Sequence, residues 1–484
     1  MIATNKSQRD WVCRLGSALA LAIIGISTFA LSDTDFQGAI SYDFRPPGAR
    51  SLAMGGAFTA IADDATSALL NPAGLVQLRR PEFSLVGKVW TEDMHLDWGS
   101  GSYTDLSYIN PNFPTENRVE RDFYNTRGAP AFVSFVYSFK RVTLGVYHAQ
   151  TMAYSNSFVR DEIATGPVLI EDCSVPPCTT YPDSSSILST ALTQASGSIS
   201  HTRDLGLAAA FDLGHKFSLG LTGYLGHLKF QARSTRYTQG SFVSGQNATL
   251  IVNEYSDEHA FGWGAGLLYA GDAWRFGFGW QKGESYSVRV TPQKGPRGSN
   301  ILRRPFDTPL RVPDRATLAV AWRPSPLVTL SAELEHIGWS KLLDNFHSFQ
   351  PNVSDPSGNF EAPFTPDSGF KIDDALNPHL GFEYVLLADT SPLSLRAGAW
   401  WEHGHRLRYV GHFADIRIPT GPTTTIIFEG QSLDNAQKIM QPGGGSQQHF
   451  TAGIGFVAGK IQFDAGYDYA KWSRQFAASA ILRF

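Results

Sequence analysis

The sequence predicts an all-β chain folded as a transmembrane antiparallel β-barrel of about 14 strands, and three observations carry that expectation. The last residues, 475–484, alternate so that Phe476, Ala478, Ala480, Leu482 and the terminal Phe484 share one face. A bacterial outer-membrane barrel closes on such a lipid-facing strand, with a C-terminal aromatic presented to the assembly machinery. Stretch after stretch of residues 81–484 repeats this period of two, the mark of half-buried strands. Long connections and tight turns also alternate along the chain, as barrels require. A soluble sandwich edge would explain the last ten residues alone, but it has no need of that asymmetry.

At the other end, Lys6, Arg9 and Arg14 precede an apolar run from Leu15 to Phe29, and small residues follow at Ala30 and Ser32. This reads as a signal peptide over residues 1–32, with the mature chain starting near Asp33. The alternative is a membrane anchor, but about fifteen apolar residues are few for a span of roughly twenty. Cys13 precedes the run, the wrong side for a lipoprotein acylation site. The whole chain carries 40 Lys+Arg against 44 Asp+Glu; loss of three bases and one acid leaves 37 against 43, a net charge of −6. So mild an acidity offers nothing to nucleic acid. The 46 glycines and 12% aromatic residues suit many alternating strands with aromatic ends.

The mature chain keeps Cys173 and Cys178, separated by Ser174-Val175-Pro176-Pro177. In an exported loop they are expected to form a disulfide, contributing on the order of 2 kcal/mol. A metal site is the other reading, with only Glu171 and Asp172 nearby.

Individual strands are legible. Ile461, Phe463, Ala465, Tyr467 and Tyr469 face one way while Gln462, Asp464, Gly466 and Asp468 face the other. Leu205/Leu207/Ala209/Phe211, Ala316/Leu318/Val320/Trp322 and Val328/Leu330/Ala332/Leu334 repeat this lipid face, as do Trp274/Phe276/Phe278/Trp280 and Leu393/Leu395/Ala397/Ala399/Trp401. The first strand is expected over Glu82 to Trp90. Tight turns fall at 140–141, 214–216, 271–273, 323–326, 388–392 and 458–460. Long connections fall at roughly 91–128, 155–200, 236–254, 289–312, 341–376 and 406–446, with a short one near Lys471. About seven loops and six turns imply about 14 strands, an even number that returns Phe484 to the side of the turns.

Before the barrel lies a segment of another kind. Gly55-Gly56 permit a turn or close approach to a wall. Asp63 or Asp64 can cap a short helix that ends before Pro72, or the pair could serve as acid and base or hold a cation. Asn71-Pro72 starts a turn. The run from Arg50 to Leu75, containing Met54-Gly55-Gly56-Ala57-Phe58, Ala62-Asp63-Asp64-Ala65 and Asn71-Pro72-Ala73-Gly74-Leu75, resembles the amino-terminal segment of the outer-membrane hydrophobic-compound transporters. That family includes the long-chain fatty-acid transporter FadL and the toluene transporter TodX. The resemblance implies a hatch, residues 33–80, inside a barrel of residues 81–484, with Gly55, Gly56, Asp63, Asp64, Asn71, Pro72 and Ala73 as hatch or gate residues. It also implies a wall opening near the third strand, about Val142 to Tyr154.

Nothing commits the chain to chemistry. No Gly-x-Ser-x-Gly elbow is present, the Gly453-Ile454-Gly455 run is followed by strands instead of a helix, and His403-Gly404-His405 is a weak metal pair. The expectation is a non-enzyme without cofactor or resident metal. Its partners are hydrophobic small-molecule cargo, outer-membrane lipid and the barrel assembly machinery, with no nucleic acid. The resemblance implies passive passage of fatty-acid-like molecules, with Arg396 as a candidate lumen cation for a carboxylate and Glu333, Glu335, Asp464 and Asp468 as its competing partners. The alternatives are a barrel scaffold or shuttle for a secreted protein, and a general hydrophilic pore.

Overall fold

The computed structural model describes residues 42, 44–97, 120–160, 167–187, 190–239, 248–296, 301–302, 305–343, 369–386, 392–405, 407–412, 415–419, 422–428, 431 and 445–484. The expected signal peptide, the first residues of the expected hatch and most of the 388–392 turn lie outside them.

The strands are β1 (Glu82–Asp97), β2 (Glu120–Ser138), β3 (Val142–Arg160), β4 (Thr190–Gly214), β5 (Phe217–Gln239) and β6 (Ala248–Ala270). Next come β7 (Trp274–Lys282 continued by Ser285–Pro296) and β8 (Phe306–Arg311 continued by Arg315–Ser325). The ring is completed by β9 (Val328–Ile337), β10 (Ala375–Leu386), β11 (Leu393–Glu402), β12 (Gln447–Ala458), β13 (Ile461–Ala470) and β14 (Ser473–Arg483). The sheet counts 17 hydrogen-bonded segments. Joining the two interrupted strands and assigning the short Ile301–Leu302 pairing to β8 leaves fourteen antiparallel strands among the described residues. Each pairs with its chain neighbour, and β1 pairs with β14 from Glu82↔Arg483 to Glu92↔Ser473. The first and last strands are joined, so the ring is closed.

Outward-facing positions form an apolar band. On β5, Leu221 and Leu225 are exposed while Thr222 and Tyr224 are buried inside. From Phe217 to Leu225 the band spans eight intervals, which at about 3.4 Å each and a tilt near 40° covers roughly 21 Å of height. Aromatic pairs edge it on both sides: Trp274 stacks on Trp322 at 5.8 Å near the turns, and Trp263 meets Trp280 edge-on at 4.7 Å on the far side. Such girdles sit at the two membrane interfaces.

Strand length divides the wall. β9 and β11 have 10 residues each, enough to cross a bilayer, whereas β4 has 25 and β5 and β6 have 23 each. The first strand runs to Asp97, past its expected end at Trp90. The connections expected at 155–200, 236–254 and 289–312 likewise carry strand. Above the band both faces of these strands change polarity, so the apolar-out signature that marks them lower down disappears. The expected loops at 155–200 and 406–446 also supply a separate sheet of Pro167–Asp172, Thr179–Ile187, Ile416–Pro419 and Thr424–Phe428. The Cys173–Cys178 disulfide closes its first hairpin.

Phe484 lies at the foot of β14, its N–H donating to Pro81 O at 3.1 Å, with the ring exposed on the apolar side. Replacing Phe484 with Asp, or deleting it, is expected to lower the yield of the compact, heat-modifiable band on unheated gels. Equal folded yield would show that the terminal ring is dispensable for assembly.

Candidate functional site

Residues 44–78 touch inward-facing groups of strands on every side of the ring, and therefore lie within it. Helix α1 (Ala49–Ala53) follows Pro46-Pro47-Gly48 and ends at Met54, after which Gly55 and Gly56 take φ of 63° and 82°. A β-carbon on Gly55 would stand 2.6 Å from Leu380 O of β10 and 2.9 Å from Ala399 N of β11. Only glycine fits there on either count. Gly55 N donates to Thr451 Oγ1 at 2.9 Å, and its carbonyl accepts from His379 Nδ1 at 2.7 Å. One turn on, Phe58 N and Thr59 N both donate to Glu333 Oε2, at 3.0 and 2.9 Å. A wall carboxylate thereby satisfies backbone donors that have no helix to bond them.

The two aspartates separate. Asp63 meets Arg50 Nη1 at 2.5 Å and Arg323 Nη2 at 3.2 Å. Burial pushes its carboxyl up, but the guanidiniums outweigh it and hold the group below the usual range. Asp64 Oδ1 accepts from Thr66 N at 2.9 Å at the start of α2 (Ser67–Leu70), so it is the aspartate nearest to the expected capping role. Burial, then the neighbouring Glu82, push Asp64 up to about 6.

Asn71, fully buried, joins three elements. Its Nδ2 donates to Thr59 O at 2.9 Å and to Leu267 O of β6 at 3.1 Å, and its Oδ1 accepts from Ala73 N at 3.3 Å, capping the 3-10 turn Pro72–Gln77. Pro72 stands at the first position of that turn, where a missing N–H costs nothing. Ala73 O accepts from Ser218 of β5 at 2.9 Å. The wall is thinned to admit these groups: β-carbons on Gly220 and Gly266 would fall 2.1 Å from Ala73 N and 2.0 Å from Asn71 Oδ1.

Arg396, expected as a lumen cation for cargo, is already engaged. Its Nε donates to Glu383 at 2.7 Å and its Nη1 to Asp464 at 2.8 Å, while Glu383 also takes a bidentate fork from Arg50 at 2.8 and 2.9 Å. Of the four expected competitors only Asp464 is a partner; Glu335 pairs with Arg315, and Asp468 with His449 at 2.9 Å. His403 and His405 do not converge on a metal: His405 stacks on Trp339 at 3.9 Å.

Beyond this segment, toward the loops, the inward face turns apolar. Leu228, Phe230 and Ala232 of β5, Val288 and Val290 of β7, and Leu310 of β8 form one buried cluster with Trp339, Ile372, Leu407 and Tyr409 from the connections. Tyr42 belongs to the cluster and Phe44 packs on it, with their rings 6.2 and 5.6 Å from Trp339. At its floor a small cavity is lined by Lys88, Arg45, Arg203 and Arg315, together with Gln150 and Thr151 of β3; no carboxylate lines it. Beside that floor the wall parts. The β2–β3 ladder runs from Ser138↔Thr143 to Phe132↔Ala149 and stops, although β2 stays paired to β1 as far as Glu120 and β3 to β4 as far as Arg160.

No protein-family model and no curated protein matches the sequence. Solved structures do. A Pseudomonas aeruginosa FadL homologue superposes with a TM-score of 0.55 at 13% identity, over 92% of this chain and 99% of that one. The CymD monoaromatic hydrocarbon channel gives 0.51 at 14% identity over 92% and 99%. A TodX monoaromatic hydrocarbon channel carrying the deltaS2S3 mutation gives 0.52 at 14% over 91% and 100%. The chain thus shares the FadL/TodX-type barrel fold.

Glu333→Ala is expected to leave the Thr59 N–H buried without an acceptor, while Phe58 N–H keeps Gly56 O at 2.8 Å, a cost of roughly 1–3 kcal/mol for a buried orphaned group. Hydrogen exchange should quicken across residues 55–73 while the barrel strands keep their protection. Unchanged protection at 59 would remove Glu333 from the role of anchor.

Proposed function

We propose that the chain is an outer-membrane transporter that passes hydrophobic small molecules inward by diffusion, without energy coupling. The observation that carries this reading is the apolar inward face above the enclosed segment. A barrel lumen is ordinarily polar, yet here Leu228, Phe230, Val288, Val290 and Leu310 point inward, while Lys229, Gln231 and Arg289 on the same strands point out. Apolar side chains turned away from lipid and toward an enclosed space suit an apolar guest. The monoaromatic hydrocarbon channels among its structural neighbours support the same direction.

The cargo class proposed is the long-chain fatty acid or a similar amphiphile. Its tail suits the apolar cluster, and its single carboxylate suits the floor cavity, where Lys88 lies beside Arg203, 3.8 Å from Glu284, and Arg315, paired with Glu335. The exit proposed is the parting between β2 and β3 above Phe132↔Ala149, beside Gln150 and Thr151 at that floor. Residues 44–78 act as the hatch that turns cargo sideways. Gly55, Gly56, Asp63, Asp64, Asn71, Pro72 and Ala73 hold it, with Asn71 as the joint between hatch and wall.

Replacing Asn71 and Pro72 with Ala is expected to abolish uptake of a labelled long-chain fatty acid into proteoliposomes while the barrel remains heat-modifiable. Wild-type uptake together with wild-type conductance in planar bilayers would defeat the gate and favour the scaffold alternative. Arg203→Gln separates the cargo classes. Fatty-acid binding should weaken about tenfold, equivalent to about 1.4 kcal/mol, with toluene binding unchanged. Equal losses for both ligands would assign Arg203 to the structure of the cluster instead of headgroup recognition.

A further inference from the structure

The outer wall carries a second constellation, independent of the lumen. Between Arg203 and Leu205 the β4–β5 register shifts by one residue. A bulge of this kind re-aims one side chain, and here it turns Asp204 to the outer face. On the next two strands His227 and His259 are direct cross-strand partners on that face. Immediately toward the turns, Leu205, Leu225 and Phe261 end the apolar band. The group therefore stands at the level where the wall leaves the membrane.

We infer that Asp204, His227 and His259 form a site for a divalent transition-metal ion of the Zn2+ type. Asp204 Oδ2 lies 3.2 Å from His227 Nδ1 and 3.4 Å from His259 Nε2. The candidate ligand atoms of all three residues lie within 4.8 Å of one another. Bonds of about 2.0–2.1 Å at tetrahedral angles set ligand atoms about 3.3 Å apart, so two edges of the polyhedron are already at length. Two imidazoles and one carboxylate suit Zn2+ over the hard cations, which select oxygen.

The surroundings are those of a built site. His227 turns its other nitrogen, Nε2, to Asp257 Oδ1 at 2.7 Å, an arrangement that orients a ligating imidazole and raises its basicity. Asp204 Oδ1 accepts from Thr202 Oγ1 at 2.6 Å, leaving Oδ2 to the two histidines. His227 and His259 stack at 4.0 Å, with Nδ1 of one and Nε2 of the other turned to the same carboxylate oxygen. One shared divalent ion draws both neutral rings to the same point. A fourth position faces outward and is left to water. The ion would tie β4, β5 and β6 together where the tall wall emerges from lipid. Positions 204, 227 and 259 show no motif spacing; only the ladder brings them together.

The test uses the folded full chain in detergent, stripped with chelator and dialysed against Zn2+. Mass spectrometry of the metal content should find close to one Zn2+ per wild-type chain and close to none in His227→Ala/His259→Ala. Asp257→Asn should keep the stoichiometry but weaken Zn2+ affinity about 10–100-fold. Co2+ loaded into wild type should give the intense visible bands of a tetrahedral site. Zn2+ content in wild type no higher than in the double variant would overturn the site, and so would a weak octahedral Co2+ spectrum. Should the double variant fail to give a heat-modifiable barrel, the wild-type Co2+ spectrum decides alone.

Discussion

Everything in this molecule depends on closing the ladder between β1 and β14. Hydrocarbon offers backbone groups no partner, and each unsatisfied group costs several kcal/mol, so a strand that crosses must be paired on both sides. Fourteen strands meet that demand and fix a circumference wide enough to hold a folded segment inside. One side chain links closure to content: Glu82, fully buried at the start of β1, accepts from Arg483 Nε across the seam and from Ala65 N of the enclosed segment, both at 2.9 Å.

That enclosed segment has little structure it could keep alone. Its helices have 5 and 4 residues, far below the length at which an isolated helix holds in water. The wall supplies what is missing. Thr451, Glu333, Ser218 and Gln281 bond its backbone, and inward glycines such as Gly220, Gly266 and Gly398 let that backbone lie against the strands. Each bond contributes only about 0.5–1.5 kcal/mol. The charges at its rim are a different matter. Asp63, Arg50, Glu383, Arg396 and Asp464 form a continuous chain of opposite signs, in which removing one member strands its neighbours. Wall and segment are a single electrostatic unit.

This division explains what could be read from the residues alone. The lipid faces were legible because lipid enforces period two across the band: Phe278, Leu318 and Phe476 lie outward as their spacing requires. Gly55, Gly56 and Asn71 were legible because positive φ and turn chemistry restrict residue type. The wall partners were not. Glu333 and Thr451 are ordinary polar residues on an inward face, and nothing in their spacing says that one receives two backbone N–H groups. For Arg396 the spacing offers four competing carboxylates, of which Asp464 is a partner, but not Glu383, which meets it from a neighbouring strand at a register no sequence displays. The upper strands were mistaken for loops, since an apolar-in, polar-out pattern does not look like a membrane strand.

That reversal on the upper strands is also the sharpest argument about the lumen. Along β5 the outward series runs Leu221, Leu225, His227, Lys229 and Gln231, while the inward series runs Ser218, Thr222, Leu228, Phe230 and Ala232. The two faces exchange character within a few residues, at the height where the aromatic edge marks the end of the apolar band. A hydrophilic pore would keep water against its lining throughout, and then Phe230, Val288 and Leu310 would stand against water for no gain. Packed instead against Trp339, Leu407 and Tyr409, they form an apolar cluster, with Glu254, Ser256 and Thr308 as buried polar neighbours on the same rungs. That reversal is the ground on which a guest with an apolar body is proposed over ions or sugars, and the exit proposed for it is the side, where β2 and β3 are no longer joined.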